Sequence, residues 1–205
     1  MQLIFNLFSK FIVLTISICV FSNVMAYEEP QYSVIQSNKI YEIRYYDDRL
    51  AVQTTYSFDS SGFRKLFNYI SGANTKSKKI KMTTPVTESE KIDMTVPVTQ
   101  TEENQKMVMQ FYLPSIYTMN TAPIPADSKV ELVNIEKGYF AVMKYSGRLT
   151  DKNFNKHKKL LKTKLNEDKI EIISKVIKAT YNGPFTLPLF RRNEVMFRIV
   201  FDAKN

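Results

Sequence analysis

The chain has 205 residues, one cysteine, one histidine and a formal net charge of +9. A lone Cys19 excludes an intrachain disulfide framework, and a lone His157 excludes a multi-histidine metal site. The positive excess is scattered over Lys76, Lys78 and Lys79 and then Lys152, Lys156, Lys158, Lys159 and Lys162, with no nucleic-acid motif beside it, so it reads as a solvated surface and no nucleic-acid partner is expected.

Lys10 is followed by an apolar run from Phe11 to Phe21 and then by Ser22-Asn23-Val24-Met25-Ala26. The run is short for a membrane span, and Val24 and Ala26 suit a signal-peptidase site. Residues 1–26 are therefore expected to be a signal peptide, and residues 27–205 a single domain, periplasmic or secreted. The mature chain would hold no cysteine and no stable membrane span, and it is expected to be a monomer.

Lys39 to Tyr46 and Leu50 to Ser57 read as a strand pair turning at Asp47-Asp48. Gly62 to Ile70 reads as a helix, because Phe63, Leu66, Phe67 and Ile70 fall on one stripe, with Gly72 as its C-terminal glycine. Two copies of one nine-residue phrase follow, Lys79 to Thr87 and Lys91 to Thr99. Ile80, Met82, Thr84 and Val86 alternate in the first, as do Ile92, Met94, Val96 and Val98 in the second. The phrase predicts two half-buried strands, each ending at a Met-Thr-x-Pro-Val turn. Met107 to Leu113 supplies another strand.

The second half repeats the first. Val130 to Ile135 and Phe140 to Ser146 are expected to pair around Glu136 to Tyr139, before a helix from Asp151 to Leu165 capped by Thr150. The inward stripe of this helix is Phe154, His157, Leu161 and Leu165. Lys175 to Tyr181 and Glu194 to Asp202 give the last strands. Leu50-Ala51-Val52 is echoed by Phe140-Ala141-Val142, a degenerate internal duplication. Strand groups separated by helices predict an α+β fold: an antiparallel, barrel-like sheet with two helices packed on it.

The ordered series Tyr41-Glu42-Ile43-Arg44-Tyr45-Tyr46, Gly62 to Asn74, both Met-Thr-x-Pro-Val copies, Phe111-Tyr112-Leu113-Pro114-Ser115, Pro123-Ile124-Pro125, Tyr181-Asn182-Gly183-Pro184-Phe185 and Arg191-Arg192-Asn193-Glu194-Val195 resembles the SOUL heme-binding protein family, in particular its bacterial, secreted members. The resemblance spans nearly everything after residue 38. It implies a distorted antiparallel β-barrel with pseudo-twofold symmetry and binding of heme or a related tetrapyrrole.

A porphyrin needs a broad apolar cleft with cations at its rim. The expected walls are Phe63 and Phe67 of the first helix and Phe185, Leu187 and Leu189 of the late loop, and the expected rim cations are Arg64, Lys65, Arg191 and Arg192. In heme-binding animal members the resemblance implies propionate-holding lysines at the places of Asn68 and Leu187, and this sequence has neither, so its heme binding is expected to be reversible. His157 is either an axial iron ligand or a core histidine bonded to backbone. Tyr45 stands where a family histidine is a proposed ligand. Met82 and Met94 are either core filler or heme-lining thioethers. Arg191 and Arg192 have a second reading too, as local partners of Glu194. The expected activity is non-enzymatic binding. The alternatives are a small hydrolase or isomerase using Glu194 as a cleft carboxylate, and an interaction module without ligand.

Overall fold

A computed structural model describes residues 27–57, 61–75, 89–103 and 106–202. The first half contains β1 (Tyr32–Ser37), β2 (Glu42–Tyr46), β3 (Arg49–Tyr56), helix α1 (Ser61–Ile70), β4 (Asn74–Thr75), β5 (Val98–Glu103) and β6 (Lys106–Tyr112). The second contains β7 (Ile124–Pro125), β8 (Val130–Ile135), β9 (Gly138–Tyr145), helix α2 (Asp151–Glu167), β10 (Ile177–Thr180) and β11 (Asn193–Ile199). Among the described residues nine strands form one sheet in the order β1-β2-β9-β11-β10-β5-β6-β3-β8, and β4 pairs with β7. Every pairing is antiparallel.

The two expected hairpins do not form. β2 pairs with β9 and β3 with β8, each across the halves. Glu42 lies opposite Val142 and Tyr46 opposite Gly138; Arg49 lies opposite Ile135 and Thr54 opposite Val130. One register therefore runs through both pairings, and the four strands make a single bent ribbon. Its corner is bridged by the Lys137 N–H, which donates to Asp48 Oδ1 at 2.8 Å. The physical reason lies in the turns. A two-residue hairpin favours positive φ at its centre, and among the described residues positive φ occurs at Gly72, Gly147 and Lys169, at neither corner.

From this ribbon the sheet curls round. β9 leads through β11, β10, β5 and β6 to β3, which is again the partner of β8. The result is a distorted barrel with pseudo-twofold symmetry. β3, α1, β5 and β6 of one half match β9, α2, β10 and β11 of the other, and the β5–β10 pair, with Gln100 opposite Lys178, lies where the halves meet. The echo of Leu50-Ala51-Val52 in Phe140-Ala141-Val142 is not kept in facing: Leu50 and Val52 pack in the α1 cluster, whereas in β9 it is Ala141 that packs in the α2 cluster and Phe140 and Val142 that turn inside.

Each helix covers one outer face. Leu161 and Leu165 of α2 pack with Ile43, Met143, Val195 and Phe197, with Phe154 beside them. The Thr150 side chain accepts from the Asn153 N–H, as expected of an N-cap. Leu66, Tyr69 and Ile70 of α1 pack with Val52, Met109 and Phe111. The buried face of α1 is rotated from the expected stripe. It consists of Gly62, Leu66, Tyr69 and Ile70, while Phe63 and Phe67 remain 43% and 46% exposed. The Tyr69 hydroxyl explains the rotation, because it donates inward to the Pro123 carbonyl at 2.8 Å and lets a polar-tipped ring be buried.

The second Met-Thr-Val-Pro-Val copy also departs from expectation. Residues 91–97 form no strand, and β5 begins after Pro97, at Val98. The peptide before Pro97 is cis. Backbone donors here find single partners instead of a ladder: the Ile92 N–H donates to the Ile70 carbonyl and the Val96 N–H to the Glu28 carbonyl. Thr95 Oγ1 donates to the Tyr112 carbonyl. Ile92 enters the α1 core and Val96 the cluster of Tyr46, Val142 and Met196, so the alternate residues do not share one face. The first copy, with Met82, lies outside the described residues. Four strands, β1, β4, β5 and β7, have no counterpart in the expectations from sequence.

Candidate functional site

A groove of about 800 Å³ runs beside α1. Its apolar wall comprises Phe67, Ile70, Ile92, Met94, Ile116 and Tyr117, and its polar edge includes Glu28, Lys91 and Asp93. α1 presents Phe67 here because Leu66, Tyr69 and Ile70 take the inward positions. The Phe67 ring stacks on Phe63 at 5.9 Å and 14°, and Phe63 meets Phe111 edge-on at 5.3 Å. The two rings thus form a supported aromatic ledge. Arg64 is exposed and Lys65 half-buried on the same helix. Met94 is half-buried and supplies a thioether to the groove. The Tyr117 hydroxyl donates to Glu90 Oε1 at 2.8 Å, and burial together with that carboxylate pushes its pKa up to about 12. Tyr117 is therefore a neutral phenol near neutral pH.

Of the expected walls the groove contains Phe67 and none of Phe63, Phe185, Leu187 or Leu189, although Phe63 stacks on Phe67. Phe185, Leu187 and Leu189 lie on the late loop. Those three project into solvent, with Phe185 98% exposed. The expected rim arginines are also committed elsewhere. Arg191 donates from Nε to the Thr186 carbonyl at 2.8 Å and from Nη2 to the Pro184 carbonyl at 2.6 Å, closing its own loop. Arg192 bonds Glu29 at 2.9 Å and Glu194 at 3.1 Å and lies over the Tyr181 ring.

His157 sits on α2, on the other outer face of the sheet. Its Nδ1–H donates to the Asn153 carbonyl at 2.8 Å, one turn back, and its ring stacks on Tyr145 at 4.2 Å. His157 is half-buried, held by these two contacts. Tyr45 is half-buried and packs against Tyr139 at 5.1 Å.

Inside the barrel lies a polar cluster of which the sequence offered only the local Arg192–Glu194 pair. Arg44 of β2 and Glu194 of β11 are both fully buried and joined by bonds of 3.1 and 3.2 Å. Tyr181 donates to Glu194 at 2.8 Å, and Glu42 bridges Arg44 to Lys144. The charges alternate in sign from Lys144 through Glu42, Arg44, Glu194 and Arg192 to Glu29. Burial opposes the Arg44 charge, but the Glu194 carboxylate outweighs it and holds the guanidinium protonated. Burial and the same carboxylate raise the Tyr181 pKa. Glu194 is thus saturated by three partners and lines no open cleft, unlike the carboxylate expected of a hydrolase. The sequence signal was Arg44 on the same strand face as Tyr46, a charge inside a central strand. Nothing local pairs it with a residue 150 positions away. Arg49 completes the interior, its guanidinium lying over Tyr46, Tyr112 and Phe140 at 4.2, 5.1 and 5.2 Å.

A curled antiparallel sheet flanked by two helices is a shared architecture among solved structures. A hydrolase from Listeria innocua superposes with a TM-score of 0.52 at 10% identity, covering 80% of this chain and 94% of its own. The EcmrR C-terminal domain gives 0.55 at 9%, covering 82% and 98%. At such identities these likenesses define the fold class alone. The lineage follows from sequence: the chain belongs to the SOUL heme-binding protein family, whose model matches residues 27–198. Heme-binding protein 2 of Homo sapiens is 32% identical over 162 residues, 76% of each chain.

Proposed function

We propose that the protein is a non-enzymatic binder of heme or a related tetrapyrrole, held in the groove beside α1. The observation that carries the proposal is Phe67, backed by the stacked Phe63 ring, in the wall of a groove of about 800 Å³ that also takes Ile70, Ile92, Met94 and Ile116. Family membership supports the ligand class. The macrocycle lies against Phe67, Ile70 and Met94, and Lys91, Arg64 and Lys65 serve its carboxylates. Apolar contact dominates, and Met94 is the soft donor available to an iron in this groove. Phe185, Leu187, Arg191 and Arg192 are left out of this site. Bound iron would supply the redox and ligand chemistry of the cofactor itself.

Titration of hemin into the protein tests this. The wild type is expected to give a saturable Soret band. Phe67→Ala is expected to weaken binding about tenfold or more, because a buried aromatic contact is worth about 1.5–3 kcal/mol. Arg192→Ala is expected to leave affinity unchanged in protein that remains folded. Absence of a Soret band at every hemin concentration short of precipitation would overturn the proposal.

The proposal includes export as a monomer that begins at Tyr27, on the strength of the apolar run 11–21 and Val24-Met25-Ala26. Intact-mass measurement of the exported protein checks it, and a membrane-bound species retaining Met1 would contradict it. No helix among the described residues is long and apolar enough to cross a membrane.

A further inference from the structure

Four large apolar side chains stand in solvent within six residues of one loop: Phe185 is 98% exposed, Leu187 65%, Leu189 77% and Phe190 70%. The loop between β10 and β11 is held from within. Arg191 donates to the Thr186 and Pro184 carbonyls. The Thr186 N–H donates to the Gly183 carbonyl, and the Phe190 N–H to the Leu187 carbonyl. The Gly147 N–H donates to the Pro188 carbonyl at 2.8 Å and seats the loop on the turn that enters α2. With Pro184 and Pro188 fixing their own φ, the backbone displays these side chains instead of folding them inward. Isolated exposed apolar residues are ordinary, but a contiguous protruding set marks an interaction surface.

The surroundings of the tip are basic. The turn beneath it carries exposed Arg148 and Leu149, and α2 begins there with exposed Lys152, Lys156 and Lys159 at i, i+4 and i+7. Asp151 and Glu167 are the only acids of that helix. A convex apolar tip beside a lysine stripe complements a bilayer, which offers acyl chains below a layer of negative headgroups.

We propose that the 183–190 loop docks this protein on an anionic phospholipid surface, with Phe185, Leu187, Leu189 and Phe190 entering the acyl boundary and the α2 lysines meeting the headgroups. The inference is independent of the tetrapyrrole reading, since the groove beside α1 is lined by other residues.

The chain contains no tryptophan, so a substituted one reports a single position. Phe185→Trp in the full chain, mixed with phosphatidylcholine vesicles containing phosphatidylglycerol, is expected to shift its emission to the blue and to be quenched by bromine-labelled acyl chains. Both effects should weaken as salt is added. Ile173→Trp is the control: its side chain is exposed, and its N–H bonds the Arg198 carbonyl at the opposite end of β11 from the loop. It is expected to show neither effect, and any contribution from the apolar run 11–21 is common to both proteins. Adding Leu187→Ser and Leu189→Ser to Phe185→Trp should raise the lipid concentration at half-shift about tenfold or more. No shift and no quenching at position 185 would overturn the proposal. An equal response to pure phosphatidylcholine would overturn the anionic-surface assignment. A blue shift without lipid that grows with protein concentration would assign the loop to a second copy of the chain and overturn it as well.

Discussion

Arg44 and Glu194 bond to each other across an intervening strand. β9 lies between β2 and β11, with Arg44 opposite Phe140 and Glu194 opposite Lys144. The two side chains therefore approach on a diagonal over Val142 and meet at 3.1 and 3.2 Å inside the barrel. A buried pair is a weak source of net stability, but either half left alone is costly, because the remaining charge has already lost its water.

Arg44→Met is accordingly expected to destabilise the fold by about 3–5 kcal/mol. Arg44→Met with Glu194→Met should lose less than Arg44→Met alone, since no stranded carboxylate remains. Chemical denaturation of the single and double variants measures both. A double variant less stable than the single one would show that the pair is worth more than its desolvation.

Gly62 sits in α1, where alanine ordinarily gains about 0.5–1 kcal/mol over glycine. Here a Cβ would lie 2.8 and 2.9 Å from the Tyr56 ring, and that ring is pinned by Gln100, which donates to its hydroxyl at 2.7 Å. Overpacking costs about 1–3 kcal/mol and outweighs the helix gain. Gly62→Ala is expected to lower the denaturation midpoint, against the usual trend for helices.

His157→Ala removes a ring stack worth about 0.5–1.5 kcal/mol and a hydrogen bond worth about 1 kcal/mol. Stability should fall by about 1–2 kcal/mol, while the hemin Soret position and affinity stay those of wild type. A large Soret shift in folded His157→Ala would make the imidazole an iron ligand.

Burial pushes the phenols of Tyr46 and Tyr145 up to about 12, and burial with the Asp168 carboxylate does the same for Tyr41. A phenol whose folded pKa lies above its unfolded value of about 10 favours the fold while protonated. Its contribution is complete below pH 10 and is lost as the pH rises to about 12. Denaturation midpoints should therefore decline through that window. Phenolate absorbance should rise in two stages, exposed tyrosines first and then these three, with Tyr69, Tyr117 and Tyr181, together with unfolding.

Much of the fold was legible because periodicity and end signals are local. Thr150 caps α2, and Gly72 adopts a φ of 114° just past α1. Leu161 and Leu165 point inward as their spacing requires. Of the groove wall Phe67 was legible as a residue, though not as an exposed edge backed by Phe63. Their stripe and that of Leu66, Tyr69 and Ile70 overlap on a helical wheel, and apolarity alone cannot say which side turns inward.

Strand partners were decided only in three dimensions. Asp47-Asp48 and Glu136-Lys137 look like hairpin turns, yet their backbone does not take the positive φ such turns favour, and each arm finds its partner about ninety residues away. The same holds for charge. Arg192 and Glu194 were readable as neighbours on one strand, but Arg44, Glu29 and Tyr181 join them only when the sheet curls. Sequence by itself determined the lineage, the two helices and the longer strands, because helix and strand periods are set by neighbours within a turn or two. Tertiary structure alone decided the partners, because register and buried ion pairs depend on which distant surfaces exclude water together.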